Sequence, residues 1–549
     1  MTRPERAYPD LHEHLAALEE RGLLLRIARP IDKDSELHPL VRWQFVGGLD
    51  EADRKAFLFT NITDGRGRRY EIPVVVGALA ANPEIYSVGM GAPVEQIEAK
   101  WRHAIAHPIP PRLVDRAVCH EVVLNEGDLE GEGRGLDLLP IPISTPGFDS
   151  APTLTATNVI TRDPETGVQN MGTYRAALKA PDRLVVRMAT RVGGAGGYLH
   201  YCAHQRRGER WMPCAIVLGC PPYVAFMGPQ KLPIGVDELT VAGGLAGAPI
   251  DLVRPKSVDL LVPAEAEIVI EGLIDTEYVE PEAPFGESHG HVALEEFNMP
   301  MRVTAITMRR DPIIPSYISQ VAPSESSVIK KVAYEPLFLA HLRDALGIRG
   351  VRRVSLHEKL TGLLRVVILT LERNMPRTEV WRALYGAAFF KGDCGKITIA
   401  VNDDIAPDNA DALLWALAYR ANPAEDVVVV PHRGQGHGPK REHGGEEDAT
   451  LLIDATMKGD MPPLALPKRE YMERARAIWQ ELGLPALRPQ APWHGYSLGD
   501  WLPQWEAAAE RAVKGLYLEN GRLSAARRRR GLKPETKFRP DRPPAEGAE

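Results

Sequence analysis

TLTATNVITRDPETGVQNMGTYRAALK, residues 153–179, is the stretch that decides the fold class. Two runs of strand-forming residues flank Asp-Pro-Glu-Thr-Gly, a composition typical of a tight turn. We therefore expect a β-hairpin here. More strand candidates, rich in β-branched residues, follow in RLVVRMATR, CAIVLG, AEIVIEGLI and MRVTAITMRR. Five or more strands with few helices between them predict a barrel or a barrel-like sheet.

The residues before this sheet alternate between helical and strand patterns. Asp10 can cap a helix whose leucines recur at helical spacing, and Gly22 is expected to end it. Strands are predicted in LLLRI and YEIPVVVGALA, and a second helix in PVEQIEAKWRHAIAH. Residues 1–120 are therefore expected to form a small α/β region.

The residues after about 320 return to strand–helix alternation. KITIAV predicts a strand, DNADALLWALAYRA predicts a helix capped by Asp408 or Asn409, and DVVVVP predicts a second strand. This order is typical of a βαβ unit, so we expect the two strands to form a parallel pair.

Composition restricts the class of protein. The 549 residues suggest about three domains. A formal charge of −7 argues against a protein built mainly to bind nucleic acid, because such proteins normally present a basic surface. No apolar run reaches roughly 18 residues, so no membrane span is expected, and the start lacks the apolar core of a signal peptide. The five cysteines form no CxxC motif, so we expect reduced thiols and a cytoplasmic location.

Three further motifs are weak. GGAGG at residues 193–197 lacks the third glycine of GxGxxG, and no GxxxxGK[ST] is present, so a glycine-rich turn is favoured over a nucleotide site. The spacings of His432, His437 and His443 match no standard metal pattern. They favour either a glycine-rich loop that covers a site or a loop that is merely solvated. Four arginines at residues 527–530 fit a basic helix end before a disordered tail better than a nucleic-acid site.

EAPFGESHGH, residues 282–291, holds two carboxylates and two histidines between two strand candidates. Pro284 and Gly286 exclude a continuous helix, and a fully extended strand would separate the carboxylates of Glu282 and Glu287 by about 16 Å. A turn at Pro-Phe-Gly would let both face one pocket. Crowding there would raise the pKa of at least one carboxyl, and a nearby cation would keep the other ionised. An acid/base pair, a metal cradle and a charged surface loop all remain open on these residues alone.

NMGTYR, residues 170–175, completes a pattern that resembles the UbiD family of decarboxylases. Asn170 and Arg175 match the asparagine of that family and the arginine that follows it five residues later. Glu282-Ala-Pro-Phe-Gly-Glu287 matches the family's Glu-x-Pro-aromatic-Gly-acid motif. The resemblance therefore favours an acid/base pair over a charged loop.

Other parts of the chain are similar to the same family in the same order. Glu238, in PIGVDELTVAGGLAG, falls where the family has a metal-binding glutamate. GKITIAVNDDIAPDNADALLWALAYRANPAEDVVVV resembles its C-terminal lysine–strand–helix–strand unit and places Lys396 at the lysine. DLHEHLAALEERGLLLRI looks like the family's opening, so the likeness runs from about residue 10 to 465.

The resemblance implies a fold of the α/β (α+β) class. A central split β-barrel that binds flavin would lie between a small N-terminal α/β region and a C-terminal α/β oligomerisation domain. The regions expected on this basis are the N-terminal region, 1–120; the barrel, 121–320; the oligomerisation domain, 321–485; and a helical extension with a disordered tail, 486–549.

The cofactors implied by the resemblance are prenylated FMN, a divalent metal such as Mn²⁺, and K⁺. The residues implied in cofactor binding are Asn170, Thr173, Tyr174, Arg175, Arg191, Glu238 and Lys396. Oxygen ligands from Asn170 and Glu238 suit hard cations. The family commonly supplies a histidine as a third metal ligand, but TRVGGAGG stands at that place here. His200 is our expected substitute, with His204 or water as the alternatives.

The activity implied by the resemblance is the reversible decarboxylation of an aromatic or α,β-unsaturated carboxylic acid, with an aromatic-acid CoA thioester also a candidate. It would proceed through a cofactor–substrate adduct, loss of CO2 and protonation by a glutamate. Arg175 would hold the substrate carboxylate, Glu282 would fix Arg175, and Glu287 would donate the proton. His289, His291 and His437 are left open between lining the pocket and bracing it.

The partners implied are a flavin prenyltransferase that supplies the cofactor and further copies of the chain, as a homodimer or homohexamer. Two alternatives from other classes remain at this point: a flavin-dependent oxidoreductase on a split barrel, and a non-catalytic assembly subunit of the same fold. The substrate cannot be read from the scattered pocket residues of one chain.

Overall fold

The structure is a computed structural model. It describes residues 6–188, 190, 195–230, 232, 235–282, 284–288, 290–357, 364–392, 394–434, 447–459, 461–463, 467–487, 501–514 and 516–526. The chain divides into two compact units, the first formed by residues 1–403 and 414–456 and the second by residues 404–413 and 457–549.

The predicted N-terminal helix is confirmed, together with its cap. Asp10 accepts a hydrogen bond from the N–H of Glu13 at 3.0 Å, and the Glu13 carboxylate accepts one from the N–H of Asp10 at 2.8 Å. This capping box satisfies two amides that the first turn would otherwise leave unpaired. Gly22 follows the helix with a φ of +68°, a conformation that glycine adopts without steric cost.

The N-terminal elements are α1 Leu11–Glu20, β1 Leu24–Ile27, β2 Ile31–Asp32, α2 Leu37–Val46, β3 Ala56–Phe59, β4 Ile62–Thr63, β5 Arg69–Tyr70, β6 Val74–Val76, α3 Pro83–Met90, α4 Ile97–Ala106 and β7 Arg112–Leu113. A four-stranded sheet has the order β1, β3, β6 and a later strand, Ile314–Ser316. This last strand pairs in parallel with β6, so the chain returns to the first sheet from much later in the sequence.

The central elements are β8 Val122–Asn125, β9 Thr153–Leu154, β10 Thr157–Arg162, β11 Gln169–Gly172, β12 Ala176–Ala180, β13 Arg183–Val186, α5 Gly196–Arg206, β14 Trp211–Leu218, α6 Pro222–Ala225, α7 Glu238–Ala246, β15 Asp251–Val253, β16 Val262–Pro263, β17 Ile268–Asp275, β18 Glu280–Pro281, β19 Phe285–Gly286, β20 Val292–Ala293, β21 Phe297–Met308 and β22 Ile314–Ser316. Strands β8–β14, β17, β18 and β21 form a ten-stranded sheet. The predicted hairpin is confirmed as the antiparallel pair of β10 and β11, with Arg162 opposite Gln169.

The connection between β11 and β12 shows that this sheet curls. The main strand order is β11-β10-β14-β17-β21-β13-β12-β9, which places β11 and β12 six positions apart. In a flat sheet they would be separated by about 29 Å, since neighbouring strands lie roughly 4.8 Å apart. The chain from Gly172 to Ala176 can span no more than about 14 Å. The two strands must therefore meet at a seam, as expected of a barrel-like sheet.

Strand β14 shows how the sheet is fixed between two cores. Met212, Cys214, Ile216 and Leu218 lie in one buried apolar cluster, whereas the alternate residues Ala215 and Val217 lie in another. Successive strand side chains point to opposite faces, so a strand with apolar residues at both sets of positions is covered on both sides.

The next elements along the chain are α8 Glu325–Ala340, β23 Val351–Ser355, β24 Val366–Leu371, α9 Arg377–Ala388, β25 Ile397–Asn402, α10 Ala410–Arg420, β26 Val427–Gly434 and β27 Glu447–Asp454. Their strands form a five-stranded sheet in the order β23-β24-β25-β27-β26. Asn409, one of the two predicted caps, accepts hydrogen bonds from the N–H groups of Asp411 and Ala412.

The predicted parallel pair of KITIAV and DVVVVP is wrong. These segments are β25 and β26, and β27 lies between them, parallel to β25 and antiparallel to β26. The parallel pair joined by a helix is instead β24 and β25, with α9 between them in the sequence. The chain order strand–helix–strand was therefore predicted, but a third strand from later in the sequence occupies the neighbouring position.

Among the described residues after 457, the second unit contains the helices α11 Arg469–Glu481, α12 Pro503–Val513 and α13 Tyr517–Ala525. Asn520 ties two of them together, because it accepts a hydrogen bond from Arg511 and donates one to the carbonyl of Ala508, each at 2.7 Å. The arginines at 527–530 lie outside the described residues. Among the helices of the described residues, none is both long and apolar enough to cross a bilayer. No disulfide joins the five cysteines, all of which are described.

Candidate active site

Arg175 lies at the seam between β11 and β12. The hydroxyl of Thr157 donates a hydrogen bond to the carbonyl of Tyr174 at 2.6 Å, and the N–H of Arg187 donates one to the carbonyl of Arg175 at 3.0 Å. Strands on both sides thus fix the backbone from which the Arg175 side chain projects. That side chain is only 9% exposed.

Glu282 holds the Arg175 guanidinium in a bidentate pair. Arg175 Nε donates to Glu282 Oε1 at 2.6 Å, and Nη2 donates to Oε2 at 2.9 Å. Asn298 Nδ2 adds a third hydrogen bond to Glu282 Oε2 at 3.1 Å. The planar fork of arginine matches the two oxygens of a carboxylate, so this pair fixes the orientation of the guanidinium as well as its position.

Glu287 binds the same guanidinium from another direction. Arg175 Nη1 donates to Glu287 Oε1, and Arg187 Nη1 lies 3.7 Å from that oxygen. The ring of Phe285 covers the guanidinium, with its centroid 4.6 Å from the Arg175 Cζ. The structure therefore brings together the three residues predicted to carry out catalysis, and it adds Arg187 and Phe285 to them.

The turn predicted at Pro-Phe-Gly is wrong. Phe285 and Gly286 form the short strand β19, which pairs with β20. The chain reverses after them instead: Glu287 N–H donates to the carbonyl of His291, and Gly290 carries a φ of +87°. Glu287 thus starts a hairpin loop, and Arg175 binds both carboxylates.

Burial and charge act against each other at this site. Burial disfavours the charged form of Arg175, but the charge of Glu287 and the hydrogen bonds to Glu282 outweigh it and raise the pKa of Arg175. Asp149 connects the segment that carries Glu287 to residue 145, because its carboxylate accepts hydrogen bonds from the N–H groups of Gly286 at 2.9 Å and Thr145 at 2.7 Å. Burial raises the pKa of Asp149.

A cavity of about 1570 Å³ opens on this network. Arg175, Arg187, Phe285 and Glu287 line it, and Glu282 is bound to the lining residue Arg175. The predicted residues Asn170, Thr173, Tyr174, His200 and Glu238 also line it. Pockets for drug-sized ligands are typically about 300–1,000 Å³, so this cavity can take a large cofactor together with a small substrate.

Asn170 and Glu238 approach each other through the backbone of β11. Glu238 Oε2 accepts a hydrogen bond from the N–H of Met171 at 2.9 Å, directly after Asn170 in the chain. Burial raises the pKa of Glu238 to about 7. The amide of Asn170 lies against Gly196, where an added Cβ would overlap Asn170 Oδ1. Two oxygen-bearing side chains therefore face one end of the cavity.

The histidines expected near the metal site lie in different surroundings. His200 lines the cavity, and its Nδ1 lies 2.9 Å from the hydroxyl of Thr161. His204 is instead close to Glu209, with Nδ1 2.7 Å from Oε2. Across the part of the chain that the structure describes, no three His, Cys, Asp or Glu side chains are grouped closely enough to hold a metal ion. Arg191 lies outside the described residues.

Thr173 and Tyr174 form the wall between Asn170 and Arg175. The Tyr174 hydroxyl accepts hydrogen bonds from Asn170 Nδ2 and from the N–H of Gly197, both at 3.3 Å. Thr173 Oγ1 and Gln230 Nε2 are buried polar atoms without a hydrogen-bond partner among the described residues. Both residues line the cavity, so a polar ligand there would satisfy them.

Lys396 is not brought to the cavity. It directly precedes β25 and forms an ion pair with Asp448, with 2.6 Å between Nζ and Oδ2. Two other lysines line the cavity instead, Lys330 on α8 and Lys391. The ammonium of Lys391 lies 4.2 Å from the ring centroid of Tyr334, which is another lining residue.

The remaining histidines divide into described and undescribed residues. His291 is exposed and contributes its carbonyl to the hairpin loop. His432 is exposed and lies 2.9 Å from a carboxylate oxygen of Glu447. His289, His437 and His443 lie outside the described residues.

Arg187, Asn298 and Asp149 were not predicted from the sequence. Pro-Asp at residues 181–182 marks a turn between AALKA and RLVV that pairs Ala180 with Arg183, but a register shift between Leu178 and Ala180 is what brings Arg187 opposite Arg175, and no residue in the sequence signals that shift. Asp149 and Asn298 lie in segments with no local motif, and only the folded chain brings them to the site.

The chain matches two family models. "3-octaprenyl-4-hydroxybenzoate carboxy-lyase Rift-related domain" covers residues 112–321, and "3-octaprenyl-4-hydroxybenzoate carboxy-lyase C-terminal domain" covers residues 327–455. Together they account for more than half of the chain.

Solved structures agree with this assignment. The UbiD-class enzyme HmfF from Pelotomaculum thermopropionicum, in complex with FMN, is 29% identical with a TM-score of 0.72, over 83% of this chain and 95% of that chain. An evolved dimeric form of HmfF in complex with prFMN is also 29% identical, with a TM-score of 0.71, over 83% of this chain and 97% of that chain. Vanillic acid decarboxylase from Sedimentibacter hydroxybenzoicus shares the fold, with 22% identity and a TM-score of 0.70 over 87% of this chain and 100% of that chain.

The motif residues, the seam at Arg175 and both family models lead to one assignment. The chain belongs to the UbiD family of decarboxylases, which are carboxy-lyases.

Proposed function

We propose that this chain is a prenylated-FMN-dependent decarboxylase that acts reversibly on an aromatic or α,β-unsaturated carboxylic acid, with aromatic-acid CoA thioesters among the candidates. The observation that carries the proposal is the binding of Arg175 by both Glu282 and Glu287 at the wall of a large cavity. A redox site that only transfers hydride has no need for this buried trio.

The residues present fit a bound flavin. The cavity exceeds the usual size for one small ligand, and the unpartnered polar atoms of Thr173 and Gln230 offer hydrogen bonds to a heteroaromatic ring or its side chain. HmfF has been solved in complex with FMN, and an evolved dimeric form of it in complex with prFMN. We assign Thr173, Tyr174, Asn170 and Glu238 to the cofactor, and Arg191 stays a prediction.

A divalent metal such as Mn²⁺ would bind beside the cofactor phosphate. Asn170 and Glu238 offer the oxygen ligands that hard cations prefer. Glu238 is buried, and a cation would offset the cost of ionising its carboxylate. His200 is the proposed third ligand, and K⁺ is proposed on the family resemblance alone.

Prenylated FMN, when bound, would supply the electron sink for the electron pair left by the departing CO2. The chain's own groups then divide the remaining work. Glu282 keeps Arg175 in one orientation, and Arg175 keeps positive charge beside the reacting carboxylate. Glu287 delivers the proton to the carbon that has lost CO2 and is afterwards reprotonated from solvent. The side chains of the trio are at most 9% exposed, so water is largely excluded from these steps.

The test is to co-express the chain with a flavin prenyltransferase and purify it without oxygen. Absorbance and denaturing mass spectrometry would identify the flavin, and CO2 release would be measured with 4-hydroxybenzoate, cinnamate, furan-2-carboxylate and a benzoyl-CoA-type thioester. We expect prenylated FMN and CO2 from at least one acid. Ordinary FMN with NADH oxidation would instead support the oxidoreductase, and a flavin-free protein would support the assembly subunit.

Glu287→Gln tests the proposed proton donor directly. The substitution keeps shape and polarity but removes the acid, and loss of a positioned acid typically lowers turnover by about 10²–10⁴-fold. Flavin content should be unchanged. Full turnover in this variant would exclude Glu287 as the proton donor.

We also propose that the active species is a homodimer or homohexamer. An evolved dimeric form is known for HmfF. Light scattering on the flavin-loaded protein would measure its mass, and a monomer that retains full activity would contradict this proposal.

A further inference from the structure

Thr155 lies at the cavity wall beside the arginine of the candidate site. In the ladder of β9 and β12, Leu154 is opposite Ala176. Thr155 follows the first of these residues and Arg175 precedes the second, so the two are neighbours at the seam. Both line the cavity. The direction in which the Thr155 hydroxyl donates therefore matters to any ligand that binds there.

The hydroxyl of Thr155 is used differently from those of the threonines on either side. Thr153 and Thr157 each donate a hydrogen bond to a backbone carbonyl, at 3.2 and 2.6 Å. The oxygen of Thr155 instead accepts one, from the N–H of Tyr317 at 2.8 Å. Its second contact, at 3.1 Å, is with the hydroxyl of Ser316.

This second contact continues into the protein interior. Ser316 Oγ lies 2.9 Å from His38 Nε2, so His38, Ser316 and Thr155 form one chain of hydrogen bonds. The three side chains are buried and come from distant parts of the sequence, 278 and 161 positions apart. Thr155 is the one member of this chain that lines the cavity.

The surroundings of His38 fix which of its nitrogens carries the proton. Burial lowers the pKa of His38 to about 4, so the ring is neutral near neutral pH and has a single N–H. Nδ1 is buried and has no hydrogen-bond partner among the described residues. A proton on Nδ1 would leave a buried N–H without an acceptor, which folded proteins rarely tolerate. We therefore assign the proton to Nε2, which donates to Ser316.

The direction of the next bond follows from the first. Ser316 Oγ accepts from His38, and the other hydrogen-bond partner of this hydroxyl within the described chain is Thr155. If Thr155 donated to Ser316, the buried Ser316 O–H would have no acceptor, which is costly. Ser316 therefore donates to Thr155. The Thr155 oxygen then accepts two hydrogen bonds, which fills both of its lone pairs and leaves its own O–H for an acceptor in the cavity.

We propose, resting on the proposed decarboxylase function, that Thr155 donates a hydrogen bond to an acceptor oxygen or nitrogen of the ligand bound beside Arg175. His38 is a positioning residue that fixes this direction through Ser316 and touches no ligand itself. The acceptor belongs either to the flavin or to the carboxylic acid, and the two are separated by measuring their binding independently.

Thr155→Val and Thr155→Ser test the hydroxyl. Valine keeps the shape of threonine without the O–H, whereas serine keeps the O–H. The affinity of the flavin-free protein for FMN would be measured by quenching of flavin fluorescence. KM would be measured on prenylated-FMN-loaded protein, with the acid that wild type decarboxylates fastest. We expect Thr155→Val to weaken FMN by about 3–10-fold if the acceptor is on the flavin, or to raise KM by about 10–100-fold if it is a carboxylate oxygen. Thr155→Ser should resemble wild type in both.

His38→Leu removes the donor at the inner end of the chain, and His38→Gln keeps an N–H donor. His14→Leu is the matched control. His14 is equally buried, its pKa is likewise lowered to about 4, and it is bound to the carbonyl of Ala78 outside the cavity lining. Both leucine variants should unfold at lower temperature, but only His38→Leu should also lose part of the affinity that Thr155→Val loses. His38→Gln should lose less.

Ser316→Ala breaks the same chain with a smaller change, and it covers the case in which His38→Leu does not fold. It should weaken the same ligand as Thr155→Val. Wild-type affinity for both ligands in Ser316→Ala would overturn the positioning role of His38, as would equal losses in His38→Leu and His14→Leu.

Unchanged FMN affinity together with unchanged KM in Thr155→Val would overturn the inference while leaving the proposed function intact. Equal losses in Thr155→Ser and Thr155→Val would also overturn it, because the hydroxyl would then contribute nothing. If wild type binds FMN but releases CO2 from no acid, the proposed function fails, and the FMN titration alone decides the inference. A wild type that neither binds flavin nor releases CO2 would overturn both.

Discussion

Arg175 and Glu282 form two near-parallel hydrogen bonds, 2.6 and 2.9 Å long, between residues 107 positions apart in the chain. The first residue lies on the seam of the curled sheet and the second follows β18, which pairs with β21. The pair therefore ties the seam to the motif that carries Glu287. Its geometry depends on the register of the whole sheet rather than on either local segment.

Replacing Glu282 by Gln should destabilise the protein and impair catalysis together. The substitution leaves Arg175 buried with one carboxylate instead of two, and breaking a buried pair typically costs about 3–5 kcal/mol. We expect the lower end of that range, because Glu287 remains beside the guanidinium. Thermal unfolding and kcat would be measured side by side. Asn298→Ala removes only a supporting hydrogen bond to Glu282 and should have a smaller effect on both.

Replacing Gly286 by Ala should lower activity by displacing Glu287. A Cβ at residue 286 would overlap Thr145 Oγ1, so β19 must shift, and Glu287 directly follows it. A displacement of about 1 Å in a catalytic group typically costs about 100-fold in rate. Steady-state kinetics would measure this, with Gly127→Ala as control, since a Cβ there meets no atom within 4 Å. Thr145→Ala in the Gly286→Ala background should restore part of the activity, and no rescue would count against the proposed clash.

Replacing Glu238 by Gln should reduce the divalent metal and the flavin bound per chain. The amide keeps one oxygen but loses the negative charge that would balance a cation. Because residue 238 is buried, solvent cannot readily compensate for the lost charge. Elemental analysis and flavin absorbance on purified protein would give both ratios. Metal content equal to that of wild type would remove Glu238 from the proposed site.

The elements with local signals were predictable from the sequence. Asp10 and Gly22 delimit α1, and the turn after Arg162 sets the hairpin of β10 and β11, because caps and turns depend on residues close in the chain. The meeting of Arg175, Glu282 and Glu287 was expected only from the resemblance to a family. Composition and spacing alone left a charged loop open.

What failed depended on long-range pairing. Nothing within KITIAV or DVVVVP indicates that β27 will lie between them, because either neighbour satisfies the same apolar pattern. The turn was placed at Pro-Phe-Gly since these residues favour turns, yet pairing with β20 holds Phe285 and Gly286 in a strand. Lys396 pairs with Asp448 in the structure, and its predicted role in cofactor binding stays a prediction.

Glu325 links the N-terminal sheet to the helix that lines the cavity. It is fully buried in the first turn of α8, and its carboxylate accepts hydrogen bonds from the N–H groups of Gly77, Leu79 and Ala80 at 3.1–3.3 Å. Burial raises the pKa of Glu325 from 4.5 to about 7 against these hydrogen bonds. Lys330, later on the same helix, lines the cavity.

Glu325→Gln should therefore change how stability depends on pH. A raised carboxyl pKa means that the folded state binds more protons than the unfolded state between pH 4.5 and about 7, so this residue's contribution is largest at the acidic end and is lost as pH rises. The loss amounts to about 3 kcal/mol over that window. Thermal unfolding of wild type and variant across it should show wild type losing stability relative to Glu325→Gln as pH rises. Glu379→Gln, in the first turn of α9 but partly exposed, is the control for replacing a first-turn glutamate outside the core. A constant difference between wild type and Glu325→Gln would show that Glu325 has the same protonation in both states.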